Sequence, residues 1–144
     1  MAGNFDENTY TTTQQDGIFK ALSRLWIYSF LQSKQSLYPI HSLQNLYDFY
    51  TSDIDCKIIL INRLKLNIPM DELRQWLAKF DFFFALPGVV MPFSHNIIEA
   101  MSVGCIPFLQ QSYAEMFKPP LINNIQAVTF SDISDLEDKI KYLF

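Results

Sequence analysis

Hydrophobic and polar residues alternate along the chain with two different periods. Short strand-like runs occur at residues 57–62, 81–86, 105–109 and 126–130, whereas the segments between them repeat their apolar residues every three or four positions. Continuous apolar runs are typical of strands that a parallel sheet buries on both faces, and the longer period is typical of crossover helices. The pattern therefore predicts an α/β fold: an open parallel sheet with helices on both faces, which is a Rossmann-like arrangement.

Apolar stripes and end signals define the expected helices. These helices cover residues 18–30, 43–50, 69–80, 95–103 and 134–143. Pro39 breaks the region after the first helix, and Gly104 is the residue type best suited to a left-handed helix end. Ser134 and Glu137 have the spacing of a capping box. The polar opening, residues 8–15, is expected to precede the first helix without belonging to it.

Both ends of the chain predict a domain that is part of a larger protein. A doubly wound domain normally opens with a strand, yet the sequence indicates no strand before the loop at Gly3 and Asn4. The chain finishes on the uncapped apolar residues 142–144. We therefore expect residues 1–144 to form one domain and to be a fragment of a longer two-domain chain. The alternative is a small protein whose terminal helix docks on its own core.

Composition and charge exclude several classes of protein. The 144 residues are 49% hydrophobic and 18% charged, which suffices for a buried core and excludes intrinsic disorder. A formal charge of −4 without any basic run argues against nucleic acid as a partner. No apolar stretch reaches the ~18 residues of a transmembrane helix. Because residues 1–6 also lack the features of a signal peptide, a cytoplasmic location is expected.

The sequence predicts neither a disulfide framework nor a metal site. Cys56 and Cys105 lie 49 positions apart with no second pair, and we interpret them as two buried reduced thiols. Asp53 and Asp55 precede the strand at 57–62, whereas ligands collect at the opposite, carboxyl edge of a parallel sheet. We therefore expect no metal ion and no cofactor.

The loop at residues 86–96 is the strongest candidate for a ligand site, because it leads from the carboxyl end of a predicted strand into a helix. Gly88 lets a ligand approach the backbone closely. The free N–H groups at Ser94 to Asn96 open the helix, where amides and the helix dipole bind anions. Glu99 lies one turn later, roughly 6 Å along the axis, where a carboxylate can accept hydrogen bonds from a ribose.

The same residues also have ordinary interpretations, which stay open. Ser94 can be a simple helix cap, which is the more common use of serine at this position. Glu99 can be a solvated carboxylate on an exposed helix face. His95 is disfavoured as a cation near a positive helix end, which fits a neutral hydrogen-bonding role, but it can equally be an exposed side chain.

A longer motif joins this loop to the helix and to the next strand. Pro87 and Gly88 precede Ser94, and residues 99–107 read Glu-Ala-Met-Ser-Val-Gly-Cys-Ile-Pro. With this motif, residues 82–130 resemble the C-terminal, donor-binding domain of two-domain (GT-B type) glycosyltransferases, especially the exostosin-like group. Several residue types must coincide at fixed spacing, so the motif is moderately specific.

The resemblance implies a role for each candidate residue. The position of Glu99 is similar to that of the family glutamate that holds the ribose of the nucleotide. Gly88 and the segment from Ser94 to Asn96 match the region that cradles the diphosphate and the sugar. Tyr113 begins a stretch similar to the family loop beside the nucleotide. Arg24 is the candidate for a basic residue that counters the diphosphate charge, and the alternative is a solvated helix residue.

Two departures from the family pattern affect the donor site. Many such enzymes carry a second acidic residue eight positions before the ribose glutamate, where this chain has Met91. The exostosin-like group often has an arginine just after the serine, where this chain has His95 and Asn96. Both changes remove charge from the contacts to the sugar and the phosphates.

The resemblance implies the donor-binding half of a glycosyltransferase, which moves a sugar from a nucleotide-diphosphate sugar to a saccharide hydroxyl. The saccharide acceptor would be bound by a missing domain, no catalytic base can be assigned, and the isolated chain is expected to be inactive. The alternative is a non-catalytic α/β remnant or partner-binding module. Thirteen phenylalanines, three of them consecutive at 82–84, favour this alternative because a single sheet does not easily hide them.

Overall fold

The structure is a computed structural model, and it describes residues 1–14, 21–34, 37–52, 58–88 and 93–143. The strands in this part of the chain are β1 (Ala2–Gly3), β2 (Leu37–Ile40), β3 (Ile58–Asn62), β4 (Phe82–Phe84), β5 (Ile106–Gln110) and β6 (Val128–Phe130). The helices are α1 (Glu7–Gln14), α2 (Arg24–Ser33), α3 (Leu43–Thr51), α4 (Met70–Leu77), α5 (His95–Ser102), α6 (Gln111–Ala114) and α7 (Ile133–Leu143). Among these described helices, none has the length and apolar character needed to cross a bilayer.

The strands are paired in parallel and form two three-stranded sheets, ordered β1-β3-β2 and β4-β5-β6. In the first sheet, Ala2 of β1 pairs with Ile61 of β3. In the second, Phe84 pairs with Phe108, and Phe108 pairs in turn with Val128. The predicted α/β class with parallel strands is confirmed, and the strands are divided between two small sheets.

Two hydrophobic cores lie on opposite faces of the strands, and each contains side chains from both sheets. Successive strand residues alternate between them, because side chains of a strand point to opposite faces. Phe83 and Leu109 join one core, whereas Phe84 and Phe108 join the other. The helices supply Leu46, Leu73, Trp76, Leu77, Ile97 and Ala100 to the first core and Ile27, Leu31, Leu136 and Ile140 to the second. Helices therefore cover both faces, as predicted.

Three phenylalanine rings, one from each strand of the second sheet, form the centre of the second core. The ring centroids of Phe84 and Phe108 are 4.9 Å apart, those of Phe108 and Phe130 are 5.5 Å apart, and both pairs meet edge-on. Edge-to-face pairs of this kind contribute about 0.5–1.5 kcal/mol beyond the burial of apolar area. These aromatic contacts link β4, β5 and β6 independently of the backbone ladder.

The phenylalanine count does not produce a phenylalanine-rich surface, although four other aromatic residues are exposed: Trp26, Tyr47, Tyr50 and Tyr142. Phe19 and Phe144 lie outside the described residues, and among the other eleven phenylalanines only Phe93 is exposed, at 43%. The two cores hide more rings than the single sheet face considered in the sequence. The composition therefore does not favour a phenylalanine-rich partner surface in the described part of the chain.

The first residues form more regular structure than the sequence predicts. Ala2–Gly3 is a short strand paired with β3, so the expectation that no strand precedes the Gly3–Asn4 loop is wrong. Residues 7–14 form α1, although the polar opening was expected to be non-helical. The carboxylate of Asp6 accepts the N–H of Thr9 at 3.0 Å and caps this helix. A cap rather than an apolar stripe therefore marks this helix.

Pro39 lies inside a strand instead of breaking a helical region. It is the third residue of β2 and pairs with Leu60 of β3. β2 is at the end of its sheet, and proline is tolerated on an edge strand because its missing N–H can face away from the neighbouring strand. The sequence reading missed β2 for this reason.

The first predicted helix begins later and turns a different face inward. α2 starts at Arg24, and the hydroxyl of Ser23 caps it by accepting the N–H of Trp26 at 3.0 Å. Arg24, Ile27 and Leu31 are buried, whereas Trp26 is exposed. Of the apolar residues that predicted this helix, Leu22 and Phe30 pack against the second core, whereas Trp26 does not belong to the buried face; residues 15–20 lie outside the described part. A buried charged residue on the inner face cannot be found from apolar periodicity.

Pro107 lies in β5, the central strand of its sheet, at a position that needs no donor. The N–H of Ile106 and the carbonyl oxygen of Phe108 both bond toward β4, each in a 2.8 Å hydrogen bond. The nitrogen of Pro107 therefore faces the opposite edge, one residue before the β5–β6 ladder begins at Phe108 and Val128. This arrangement explains why a central strand tolerates a proline here, because no neighbouring residue requires the missing donor.

The helix end at Gly104 is confirmed. α5 ends at Ser102, and Gly104 has a φ of +84°, which is the left-handed conformation that glycine adopts at low cost. Cys105 follows as a buried free thiol, and burial raises the pKa of this thiol to about 11. The other cysteine, Cys56, lies outside the described residues, as do Asp53 and Asp55.

The last helix, α7, is capped by a different pair of residues from the predicted one. The helix starts before Ser134, which lies in its first turn. Asp132 Oδ1 accepts the N–H of Asp135 at 3.0 Å, and Asp135 Oδ2 accepts the N–H of Ser131 at 2.8 Å. The predicted capping box of Ser134 and Glu137 is wrong, because the observed one begins two residues earlier.

Replacing Asp132 by alanine should lower the melting temperature at neutral pH, whereas Ser134→Ala should leave it nearly unchanged. The hydrogen bond from the N–H of Asp135 lowers the pKa of Asp132 below its ordinary value of 3.8. A carboxylate whose pKa is lowered by folding stabilises the folded state at any pH above its ordinary pKa. This stability is lost as the pH falls through the lowered pKa. Thermal unfolding followed by circular dichroism should therefore show a difference at neutral pH that shrinks in acid. An equal loss in Ser134→Ala would contradict the assigned cap.

Candidate functional site

A cavity of about 370 Å³ opens at the carboxyl ends of β1, β3 and β4. Its walls are the residues that follow these strands, together with the start of α4 and of α5. Gly3 and Asn4 come from the end of β1, Arg63 follows β3, and Gly88 comes from the loop after β4. Open parallel sheets bind their ligands at this edge, so the cavity is the candidate functional site.

The cavity carries positive charge although the chain as a whole is acidic. Arg24 and Arg63 line it together with His95, and none of the described lining residues is an aspartate or a glutamate. In the described part of the chain, neither arginine forms an ion pair with a carboxylate. Since the chain has fifteen acidic residues and a net charge of −4, the exclusion of acids from this one place favours an anionic ligand.

Arg24 is buried, with only 8% of its surface exposed, and backbone carbonyl groups hold its guanidinium. Nη1 donates to the carbonyl oxygen of Asn4 at 3.1 Å. Nη2 donates to the carbonyl oxygens of Leu86 and Pro87, each at 3.0 Å. These carbonyls follow β1 and β4, which belong to different sheets. Arg24 therefore ties the first sheet to the second at the floor of the candidate site.

Aromatic rings enclose the remainder of the guanidinium. Its central carbon lies 5.0 Å from the ring centroid of Tyr10 and 5.6 Å from that of Phe5, which are cation–π distances. Burial lowers the pKa of Arg24, and the nearby hydroxyls of Tyr10 and Tyr113 oppose this shift. Arginine nevertheless remains protonated, because its pKa starts far above neutrality. The alternative of a solvated helix residue is wrong for Arg24.

Gly3 is required by the position of Arg24. A Cβ atom placed on Gly3 would lie 2.6 Å from Nη1 of Arg24, well inside the contact distance of the two atoms. The far end of an arginine can usually move aside, but here three carbonyl groups hold it. The end of β1 can therefore approach the guanidinium only with glycine at this position.

The first turn of α5 leaves backbone N–H groups open beside the cavity. Ser94 has the extended conformation of an N-cap, with φ −91° and ψ 129°, but its hydroxyl accepts no hydrogen bond from the helix. The N–H groups of His95 and Asn96 find no acceptor among the described residues, and both residues line the cavity. The alternative that the Ser94 hydroxyl is a simple helix cap is wrong, and the open turn retains the positive character of a helix start.

Tyr113 positions this turn from the buried side of the helix start. Its side chain is fully buried, and its hydroxyl oxygen accepts the N–H of Ser94 at 3.1 Å. Burial raises the pKa of the Tyr113 hydroxyl, while the bond to Ser94 and the charge of Arg24 act in the opposite direction. Tyr113 does not line the cavity, so it acts on the site through the start of α5.

Glu99 is half-buried and does not line the cavity. Its Oε2 atom is enclosed and has no hydrogen-bond donor among the described residues. The neighbouring isoleucines show how α5 is turned against the core: Ile97 is buried, whereas Ile98 is 56% exposed. The solvated carboxylate considered in the sequence does not describe Glu99, and contact with a ribose stays a prediction.

Five of the seven predicted ligand residues thus line one cavity: four lie within residues 88–96, and one comes from a distant part of the chain. These five are Arg24, Gly88, Ser94, His95 and Asn96. Met91, where the family motif departs, lies outside the described residues. Glu99 follows these residues on α5, and Tyr113 is hydrogen-bonded to Ser94, but neither of the two lines the cavity.

Sequence reasoning did not assign four polar residues of the cavity to a site: Asn4, Tyr10, Arg63 and Asn67. Arg63 could have been found, because it directly follows the apolar strand at 58–62 and so lies at the carboxyl edge. Asn67 could not have been found by this rule, because a turn brings it back to the cavity. In this turn the carbonyl of Asn62 accepts the N–H groups of residues 65 and 66. Asn4 was missed because β1 has only two residues.

Comparison of the chain with protein-family models, with curated proteins and with solved structures finds no match. The resemblance to donor-binding domains therefore rests on the motif at residues 87–107 alone. Within the described residues, no group of three or more histidine, cysteine, aspartate or glutamate side chains is arranged to hold a metal ion.

We expect Gly3→Ala to lower the free energy of unfolding by about 1–3 kcal/mol, the usual range for adding a methyl group to a packed site. The same change should cost much less in an Arg24→Ala background, because the atom that the methyl group meets is then absent. Chemical denaturation of the wild type, both single variants and the double variant measures this coupling.

Gly104→Ala provides the matched control. It also places alanine at a glycine position, but no atom lies within 4 Å of the added Cβ and the cost arises from the φ of +84°. Its effect should be the same with and without Arg24. Additive effects of Gly3→Ala and Arg24→Ala would contradict the close contact between the two residues.

Proposed function

We propose that the cavity binds the diphosphate of a nucleotide sugar, and that the chain is the donor-binding half of a glycosyltransferase. Such an enzyme moves a sugar from a nucleotide-diphosphate sugar to a saccharide hydroxyl. The observation that carries this proposal is a cavity whose described walls hold no aspartate or glutamate, with the buried charge of Arg24 and the open first turn of α5, at the carboxyl edge of the sheets. The motif at residues 87–107 supports the same function.

The proposed chemistry follows from the negative charge that develops on a diphosphate when it leaves the sugar. Arg24 supplies positive charge that is already in place, because carbonyl groups and rings fix its guanidinium. The N–H groups of His95 and Asn96 supply open hydrogen-bond donors. Preorganised positive groups in a site with little water stabilise a developing charge strongly, and loss of one such donor typically costs about 10²–10³ in rate.

Glu99 is proposed to accept hydrogen bonds from the ribose. Its enclosed Oε2 atom lacks a protein donor in the described structure, which leaves capacity for a ligand hydroxyl. Since Glu99 does not line the cavity, this contact requires its side chain to turn, or the nucleoside to extend past the first turn of α5.

The acceptor and the catalytic base are assigned to a second domain across the cleft, as the resemblance implies. The chain by itself is then expected to bind donor only weakly and not to transfer sugar. A cytoplasmic location is part of the same proposal. The alternative, a non-catalytic module that binds a protein partner, requires no nucleotide in the cavity, and this difference separates the two functions.

Uridine or guanosine diphosphate should bind the chain, and Glu99→Ala should weaken this binding by about tenfold or more. A hydrogen bond to a charged group contributes about 1.5–3 kcal/mol, and 1.4 kcal/mol corresponds to a factor of ten in affinity. Isothermal titration calorimetry with each nucleotide measures the effect. Glu115→Ala is the control, because Glu115 is an exposed carboxylate outside the cavity. Absence of binding by both nucleotides would support the alternative module.

A further inference from the structure

The two arginines of the cavity differ in what they can offer a ligand. Arg24 is buried, and its terminal nitrogens already donate to three carbonyl groups. It therefore contributes charge more than hydrogen bonds. Arg63 is exposed, and in the described part of the chain no acceptor or carboxylate engages its guanidinium. With respect to these described residues, all five N–H donors of the guanidinium are uncommitted.

The backbone of Arg63 is fixed although its side chain is exposed. Its N–H donates to the carbonyl oxygen of Gly3 at 2.9 Å, which anchors it to the end of β1. The next residue is held as well, because the side chain of Asn62 accepts the N–H of Leu64 at 3.0 Å. Arg63 is thus a long cationic side chain with a rigid base on the cavity wall.

The positive groups come from separate elements of the fold. Arg24 belongs to α2, the open N–H groups belong to the first turn of α5, and Arg63 follows β3. Arg24 and the α5 turn both line the cavity, so a first phosphoryl group is assigned to the N–H groups of this turn, with Arg24 supplying charge. A second phosphoryl group adds charge and oxygens, for which the planar fork of Arg63 supplies matching donors.

We propose that Arg63 is a further ligand-binding residue that engages the second phosphoryl group, so that the cavity selects diphosphates over monophosphates. This assignment rests on the proposed function, because it takes the cavity as the site of the diphosphate. The selectivity is carried by Arg63, whereas Arg24 attracts both classes of ligand. Two linked phosphoryl groups are therefore the chemical class that fills the site.

Isothermal titration calorimetry with uridine diphosphate, uridine monophosphate, inorganic pyrophosphate and inorganic phosphate tests this assignment. The wild type should bind each diphosphate at least about tenfold more tightly than the corresponding monophosphate. Arg63→Ala should remove about tenfold of diphosphate affinity while changing monophosphate affinity by less than about twofold. Arg63→Lys keeps the charge but loses the planar fork of donors. Its diphosphate affinity should therefore lie between that of the wild type and that of Arg63→Ala.

Arg74→Ala is the matched control, because Arg74 is an exposed arginine of α4 that does not line the cavity. It should behave as the wild type. Equal weakening of both ligand classes in Arg63→Ala, or no weakening, would overturn the assignment.

The two inorganic ligands separate this assignment from the proposed function. Pyrophosphate binding that depends on Arg63, with uridine diphosphate no tighter than pyrophosphate, would support Arg63 and count against a nucleotide donor. Tight uridine diphosphate binding that is insensitive to Arg63→Ala would support the donor site and overturn the role of Arg63. If none of the four ligands binds, both are overturned.

Discussion

The guanidinium group of Arg24 is buried between the loops that follow β1 and β4, and it donates to carbonyl oxygens of both loops. Removing a charged group from water costs several kcal/mol, and only complete hydrogen bonding and close electrostatic contacts offset this cost. Here three carbonyls and two rings offset part of this cost, while Nε of Arg24 is buried without a hydrogen-bond partner among the described residues. Gly88 follows the carbonyl of Pro87 directly, and Gly3 lies against Nη1. The shape of the candidate site therefore depends on where this one cation is held.

Much of the fold could be predicted because burial on both faces leaves a direct trace in the sequence. β3, β4, β5 and β6 coincide with strand-like runs, and α5 ends where Gly104 indicates. The errors arose where another force decides the structure. A side-chain cap starts α1, an edge position tolerates Pro39, and α2 buries the charged Arg24 on its inner face. Apolar periodicity carries no information about any of these three.

The candidate site was predicted in part, and for a clear physical reason. The rule that ligands collect at carboxyl strand ends selected Gly88 and the start of α5, because both follow a strand that the sequence shows plainly. Applied to β3, the same rule would have selected Arg63. Contacts between distant loops lay beyond this reasoning: the hydroxyl of Tyr113 reaches Ser94 rather than the cavity, and the placement of Glu99 depends on how α5 is rotated against the core.

The walls of the cavity, as far as the structure describes them, hold no acid, although the net charge of the chain is −4. Viewed from a distance, such a molecule repels anions, because far from the surface the total charge determines the field. Only within roughly a Debye length, about 8–10 Å in ordinary buffers, can a local pair of arginines outweigh that repulsion. An anionic ligand would then be captured at short range rather than steered from afar. Added salt would therefore weaken the long-range repulsion between the acidic chain and the anion before it weakens the short-range attraction by the two arginines.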